Sequence, residues 1–304
     1  MSASAAGPAI QVRNLAKRYG EIEAVRGIDL SVERGEVFAL LGPNGAGKTS
    51  TVEILEGHRR RSGGEVDVLG FDPARGGRAF RSRIGVVLQQ TGVEKYLTVA
   101  EVIELFRGYY PAPLPLDEII DVVGLREKRD ERVRRLSGGQ QRRLDVAVGL
   151  AGNPDLLFLD EPTTGFDPGA RRNAWDMIRN LKALGKTIFL TTHYMDEAQE
   201  LADRVAVIAG GRIVAEGSPD QIGGRDTAET LIRFRTPARP LPKAVAAGAS
   251  VHGDTTAIGT ATPTKTLAAL TAWAVRNSIE LEDLQVTRPT LEDVYLRLAG
   301  AQGE

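Results

Sequence analysis

The sequence predicts an α/β protein: a mostly parallel, doubly wound sheet with an antiparallel portion at its start, followed by a small α+β appendage. Three observations predict it. A five-residue apolar run, Val37–Leu41, breaks directly into a glycine-rich loop and then a helix-patterned stretch, as a strand buried on both faces of a parallel sheet requires. Short apolar strand patterns then alternate with longer helical ones as far as about residue 215, the rhythm of βαβ units. After about Gly224 the composition turns Ala-, Thr- and Pro-rich and the strand signals weaken.

In order, the first two strands are expected at Ile10–Leu15 and Ile28–Val32, with a turn at Tyr19-Gly20. Val37–Leu41 is the third strand, and Lys48–Glu56 follows the glycine loop as a helix. Further strands are expected at Ile84–Leu88, Leu156–Leu159, Thr187–Thr191, Val205–Ala209 and Arg212–Ala215. Helices belong near Val99–Tyr109, Leu116–Val123, Gly139–Ala151, Ala170–Leu184 and Met195–Ala202, and the three prolines in Tyr109–Leu116 make that segment a loop. The appendage, 225–304, is expected to hold strands at Leu231–Arg235, Thr256–Gly259 and Leu281–Val286, with helices at Thr266–Arg276 and Leu291–Leu298.

Composition excludes several function classes. The 304 residues carry 39 basic and 40 acidic side chains, a net charge of -1, so no strongly basic field points to nucleic acid. There is no cysteine, which removes disulfides, thiolate catalysis and Cys-ligated zinc. The first ten residues lack a basic stretch before a long apolar one, so no signal peptide is expected. No run approaches the roughly 18 consecutive apolar residues of a spanning helix.

Gly42-Pro43-Asn44-Gly45-Ala46-Gly47-Lys48-Thr49 fits G-x-x-x-x-G-K-[ST] in full. The glycines let successive backbone N–H groups point inward at phosphate oxygens, and the helix that follows adds its positive end. Lys48 supplies a cation for the β and γ phosphates, and the Thr49 hydroxyl suits magnesium. A second constellation lies at the end of the strand Leu156–Leu159, where Asp160-Glu161 precede Pro162. Two carboxylates there are costly unless something positive sits beside them. Next to a phosphate loop that partner is magnesium, held by Asp160, while Glu161 points elsewhere and is free to polarise an attacking water. The third is Leu136-Ser137-Gly138-Gly139-Gln140, where Ser137 caps a helix and the glycines expose N–H groups as an anion site. Taken alone, this last stretch is also a plain capped helix after a loop.

Together these motifs resemble the nucleotide-binding subunit of ATP-binding-cassette (ABC) transporters. Gly42–Thr49, with Ser50 after it, looks like the Walker A loop, Leu136–Gln140 like the signature and Leu156–Glu161 like the Walker B strand, in the family's order from residue 10 to about 220. The signature discriminates, because Walker A and B alone occur in many unrelated NTPases. The resemblance implies a P-loop NTPase cassette over 1–224, with a parallel-sheet core, an antiparallel β part and a helical signature subdomain. The remaining 225–304 would be an accessory or dimerisation domain. It implies ATP and Mg2+ as ligands and a head-to-tail pair in which one chain's signature, Ser137, Gly138, Gly139 and Gln140, closes over the other chain's nucleotide. It further implies that Gln89 contacts magnesium and attacking water, that His193 contacts the γ-phosphate, that Asp167 lies in the loop between subunits, and that Tyr19 stacks on adenine. The choice of Gln89 over its neighbour Gln90 follows from the spacing after Ile84-Gly85. Phe166 stands where leucine is usual, a departure from the family's pattern at the subunit contact that the resemblance implies.

The tail, Arg288–Leu296, looks like the ending of drug- and antibiotic-export cassettes of the daunorubicin-resistance type, although Thr290 capping a helix with Leu291, Val294, Tyr295 and Leu298 on one face explains it structurally as well. The resemblance thus implies an ATPase driving export of drug, antibiotic or lipid-like cargo. It implies as partners a separate transmembrane permease and a second copy of the chain, at the cytoplasmic face of the membrane, with no nucleic acid. Val93 and Tyr96, within Gln89–Leu97, are expected to meet the permease. The alternatives are an importer cassette, which the tail disfavours, and a nucleic-acid clamp, which needs a long coiled coil that the stretch between Lys48 and Ser137 does not contain.

Overall fold

The computed structural model of the chain describes residues 7–87, 92–222, 229–246, 248–287 and 291. The chain divides into two compact units, Met1–Pro219 and Asp220–Glu304.

The first unit opens on an antiparallel hairpin, β1 (Ile10–Tyr19) and β2 (Ile22–Val32), turning at Gly20 with φ +58°. Both strands run well beyond the expected Ile10–Leu15 and Ile28–Val32. The register slips beside Asn14, which sits at φ +49°, and the residues towards the turn are largely exposed, so the alternation that marks a strand is lost there. Next come β3 (Val37–Leu41), α1 (Lys48–Leu55) and β4 (Gly63–Val68). The last is missing from the expected elements because only Val66 and Val68 in its Gly-Gly-Glu-Val-Asp-Val sequence turn inward. A short helix, α2 (Gly77–Arg81), precedes β5 (Ile84–Val87). The helical segment follows with α3 (Val99–Arg107), α4 (Leu116–Val122) and α5 (Gly138–Leu150). Then β6 (Leu156–Asp160), α6 (Pro168–Ala183), β7 (Thr187–Thr192), α7 (Met195–Leu201), β8 (Arg204–Ala209) and β9 (Arg212–Gly217) complete the unit.

Two sheets result. One is antiparallel, in the order β2-β1-β4; the other runs β5-β6-β7-β3-β8-β9 and is parallel except for β9. Every residue of β3 and β7 is buried. Phe38, Phe189 and Phe158 occupy one register across β3, β7 and β6, with ring centroids 5.5 and 5.8 Å apart. They share a core with Ile10, Leu15, Ile28 and Leu55, which joins the two sheets around α1. Each fully buried phenylalanine of this kind contributes about 1.5–3 kcal/mol. The same register sets Leu41 beside Thr192 and Asp160 beside Thr191, so the carboxyl ends of β3, β7 and β6 finish level. Ligands of open α/β sheets bind at that edge.

In the second unit, β10 (Thr230–Arg235), α8 (Lys243–Ala246), β11 (Ala249–His252), β12 (Thr255–Thr260), α9 (Pro263–Arg276) and β13 (Gln285–Thr287) form an antiparallel sheet, β11-β12-β10-β13, with helices. Ile232, Phe234, Ile258 and Leu270 are its core. The helix starts at Pro263 rather than Thr266, because proline suits a first helical position. The strand expected at Leu281–Val286 begins only at Gln285; Leu281 is buried in the core ahead of it. Of the expected helix Leu291–Leu298, only Leu291, which is buried, lies within the described residues. Among the described residues no helix is long and apolar enough to cross a membrane.

Candidate functional site

The loop between β3 and α1 wraps because its glycines adopt backbone that other residues resist. Gly45 and Gly47 sit at φ +80° and +108°. A Cβ on Gly47 would fall 2.5 Å from the Ala24 carbonyl oxygen, and one on Gly42 would fall 2.4 Å from that of Ile208. Pro43, Asn44, Gly45 and Thr49 are exposed, Ser50 is half-buried, and Ala46, Gly47 and Lys48 are buried beneath them. Lys48 Nζ donates to the carbonyls of Gly42 (2.7 Å) and Pro43 (3.2 Å) and lies 3.4 Å from Glu161 Oε1.

Asp160 ends β6 opposite Thr191, whose hydroxyl donates to Asp160 Oδ1. Glu161 leaves the strand in the left-handed region at φ +45°, unusual for a residue with a side chain. Its N–H holds that turn by donating to Thr191, at 3.1 Å from both the carbonyl and the hydroxyl oxygen. The turn swings the carboxylate off the sheet, where Thr164 Oγ1 donates to Oε2 at 3.0 Å. His193 Nδ1, one residue past β7, lies 3.3 Å from Oε1 without the alignment of a full hydrogen bond. Burial would raise the Glu161 pKa, but the Thr164 hydroxyl, the His193 ring and the Lys48 charge outweigh it and hold the carboxyl below its ordinary range. Glu161 is therefore anionic at neutral pH, with acceptor capacity facing the phosphate loop.

The structure thus brings Lys48, Asp160, Glu161 and His193 to one edge. Hard oxygen donors, the exposed Thr49 hydroxyl and the Asp160 carboxylate, fit a magnesium ion that also takes phosphate oxygens. Among the described residues no cluster of three or more His, Asp or Glu side chains is placed to hold a metal by itself. Gln89 lies outside the described residues. Tyr19, at the end of β1, donates or accepts a 3.0 Å hydrogen bond with Ser50, and Lys17 and Arg59 lie over its ring at 4.8 and 5.3 Å. Its side chain is partly exposed, on the same side as α1, with those two cations against the ring.

The signature starts α5, beside the turn after Glu161 and away from the 42–49 loop. Ser137 and Gln140 close a capping box on α5: Ser137 Oγ accepts from the Gln140 N–H and Gln140 Oε1 accepts from the Ser137 N–H. Asp167 Oδ1 caps α6 by accepting from Gly169 and Ala170 at 2.8 and 2.9 Å. Ser137, Gly138, Gly139, Gln140 and Asp167 line one open groove of about 620 Å³, and no residue of the 42–49 loop lines it. The glycine loop and this groove are therefore two separate surfaces of one chain. Tyr96, expected at a permease contact, is exposed with the Arg134 guanidinium over its ring.

Sequence reasoning missed the side chains that hold these groups in place. Thr191 and Thr164 give no periodic signal, and Thr191 is recognisable only through its register with Asp160. Glu197 is fully buried on α7 and accepts a 2.7 Å hydrogen bond from Thr163, pinning the turn after β6.

Residues 25–164 match the family model described as ABC transporter, and residues 230–290 match that of the C-terminal domain of ABC transporter domain-containing protein-like proteins. The chain is 40% identical to the daunorubicin resistance ATP-binding protein DrrA3 of Streptomyces coeruleorubidus, over 97% of both chains. It is 39% identical to Nod factor export ATP-binding protein I of Ralstonia nicotianae, over 97% of this chain and 95% of that one. Among solved structures it is similar to cbiO1 of Clostridium perfringens, part of an ABC transporter complex, with TM-score 0.64 and 29% identity over 70% of this chain and 90% of that one. It is also similar to a dimeric ATP-binding cassette in a post-hydrolysis state bound to ADP and phosphate, with TM-score 0.60 and 25% identity over 69% and 98% of the two chains.

Proposed function

The chain belongs to the family of ATP-hydrolysing subunits of ABC transporters, and from that premise we propose that it powers export of a drug-, antibiotic- or lipid-like cargo through a separate membrane permease. The observation that carries the enzymatic part is the approach of Lys48 and Glu161 at the phosphate loop, 3.4 Å apart. The relatives that align along nearly the whole chain are named for daunorubicin resistance and Nod factor export, which favours export over import.

The inward N–H groups of the 42–49 loop and Lys48 bind the phosphates. Phosphate oxygens compete with Glu161 and the two loop carbonyls for the Lys48 ammonium, which leaves the Glu161 carboxylate open to a water. Glu161 accepts that water's proton as the water oxygen bonds to the γ-phosphorus, the bond from the γ-phosphorus to the bridging oxygen breaks, and ADP leaves carrying that oxygen, while His193 donates to the γ-phosphate. Thr49 and Asp160, with Gln89, would hold Mg2+, which supplies neutralisation of phosphate charge when bound. Ser137 and the Gly138 and Gly139 N–H groups of a second copy complete the cradle from above. Their work is mainly electrostatic, directed at charge on the transferring phosphoryl group. The 1–224 segment is the cassette in this reading, and 225–304 is an accessory domain that keeps two cassettes together between turnovers. The chain works at the cytoplasmic face of the membrane, held there by the permease.

The test is ATPase activity in vesicles that contain a candidate membrane permease, beginning with any encoded beside this chain. Stimulation by an amphipathic drug-like cargo is expected; an adjacent gene for a substrate-binding protein, with stimulation only by that protein, would reverse the direction of transport.

A further inference from the structure

Arg142 lies on α5, one turn after the Ser137 cap, yet its guanidinium points away from the signature groove. It is buried, with 7% exposure, and its fork reaches the turn after β6: Nη2 donates to the Asp160 carbonyl at 3.0 Å and Nε faces the Pro162 carbonyl at 3.4 Å. These two carbonyls bracket Glu161. Asp145, three residues along the same helix face, sets a negative charge against the guanidinium and helps hold it there. Gly138, Gln141, Arg142 and Asp145 share one cleft with Glu161 and Thr164, so the start of α5 and the Glu161 turn face each other directly.

A planar fork with donors fixed in direction is suited to spanning two carbonyls, and a compact ammonium is not. The turn it spans is the one that holds Glu161 at φ +45°. Thr191 supports that turn from β7 and Glu197 supports it through Thr163 from α7. Arg142 is its support from the signature helix.

Resting on the ATPase reading above, we propose that Arg142 is a positioning residue that ties the Glu161 turn to the signature helix of the same chain. The surface that meets the partner's nucleotide is thereby joined mechanically to the carboxylate that serves the chain's own. Movement of α5 when the signature engages one nucleotide changes the placement of Glu161 at the other, which makes the two sites of a pair cooperative.

The experiment compares wild type, Arg142→Lys and Arg142→Met in the permease complex, measuring ATP hydrolysis against ATP concentration, together with fluorescent ATP-analogue binding and thermal unfolding of each chain. The lysine variant keeps the charge beside Asp145 and protects the fold while losing the fork. For it, kcat is expected to fall about tenfold to a hundredfold, the scale of a misplaced catalytic group, with analogue binding within about twofold of wild type. The Hill coefficient is expected to exceed one in the wild type and to drop to one in both variants. Equal Hill coefficients in wild type and Arg142→Lys, or unchanged kcat in the lysine variant, would overturn the proposal while leaving the ATPase reading intact. A wild-type complex that does not hydrolyse ATP would overturn the ATPase reading itself.

Discussion

Lys48 Nζ and Glu161 Oε1 lie 3.4 Å apart, although one residue starts α1 after β3 and the other follows β6, two strands away across β7. Both side chains are nearly enclosed, at 5% and 12% exposure. A charge pair so far from water interacts strongly and costs desolvation, so it persists only where its geometry is fixed from several sides. Here the loop carbonyls fix Lys48, and Thr164, Thr191 and the Phe38–Phe189–Phe158 register fix Glu161.

The two members of this pair are expected to fail differently. Lys48→Ala removes a cation that meets phosphate in both the ground and transition states, so ATP affinity and hydrolysis both fall. Glu161→Gln keeps shape and binding but loses the proton acceptor, so turnover falls by a factor on the order of 10² or more while ATP binds and the dimer persists. Equilibrium binding and single-turnover hydrolysis of the two variants check this; wild-type turnover in Glu161→Gln would remove the proposed base.

Thr164 bears on the pH profile. The Glu161 pKa is lowered in the folded chain, so the active anion is lost only as pH falls through that depressed value. Thr164→Val removes the hydroxyl donor that lowers the Glu161 pKa, and the acid limb of kcat should move to higher pH. A limb that stays in place would mean that a different group sets it.

Glu56, buried just past α1, has its pKa pushed up to about 8 by burial and by the charges of Asp160 and Glu53. Unfolding releases a proton the folded chain retains, so wild-type stability falls as pH rises from the ordinary carboxyl range to about 8. Glu56→Gln has no proton to lose. Its stability relative to wild type should rise across that window, by up to about 1.4 kcal/mol per pH unit, and level off above it. Urea unfolding of both chains at a series of pH values measures the difference.

The sequence is legible where residue type and spacing carry the chemistry directly. The phosphate loop needs glycines at Gly45 and Gly47 for backbone reasons, and the buried strands β3, β6 and β7 read as apolar runs because both faces are covered. What is not legible depends on pairing across the chain. Thr191 becomes part of the site only by lying opposite Asp160, and Arg142 only because α5 packs beside the turn after β6. The strand β4 is hidden because its outward positions are Gly and charged residues, and the long ends of β1 and β2 because a bulge at Asn14 interrupts their alternation. Separation of the signature groove from the phosphate loop is likewise a property of the fold and not of spacing.

That separation permits a direct test of the central claim, that each ATP site is built from two chains. Lys48→Ala disables the phosphate-loop half and Ser137→Arg fills the signature half, leaving single-chain ATP binding in the latter. Each variant alone should be inactive. Mixed in equal amounts with the permease, half of the pairs hold one chain of each kind and so contain one intact composite site, and hydrolysis should rise above that of either component, to at most about a quarter of the wild-type rate and less where the two sites act cooperatively. A mixture no more active than its two components would contradict the account, because it would place the signature and the phosphate loop at the same chain's nucleotide.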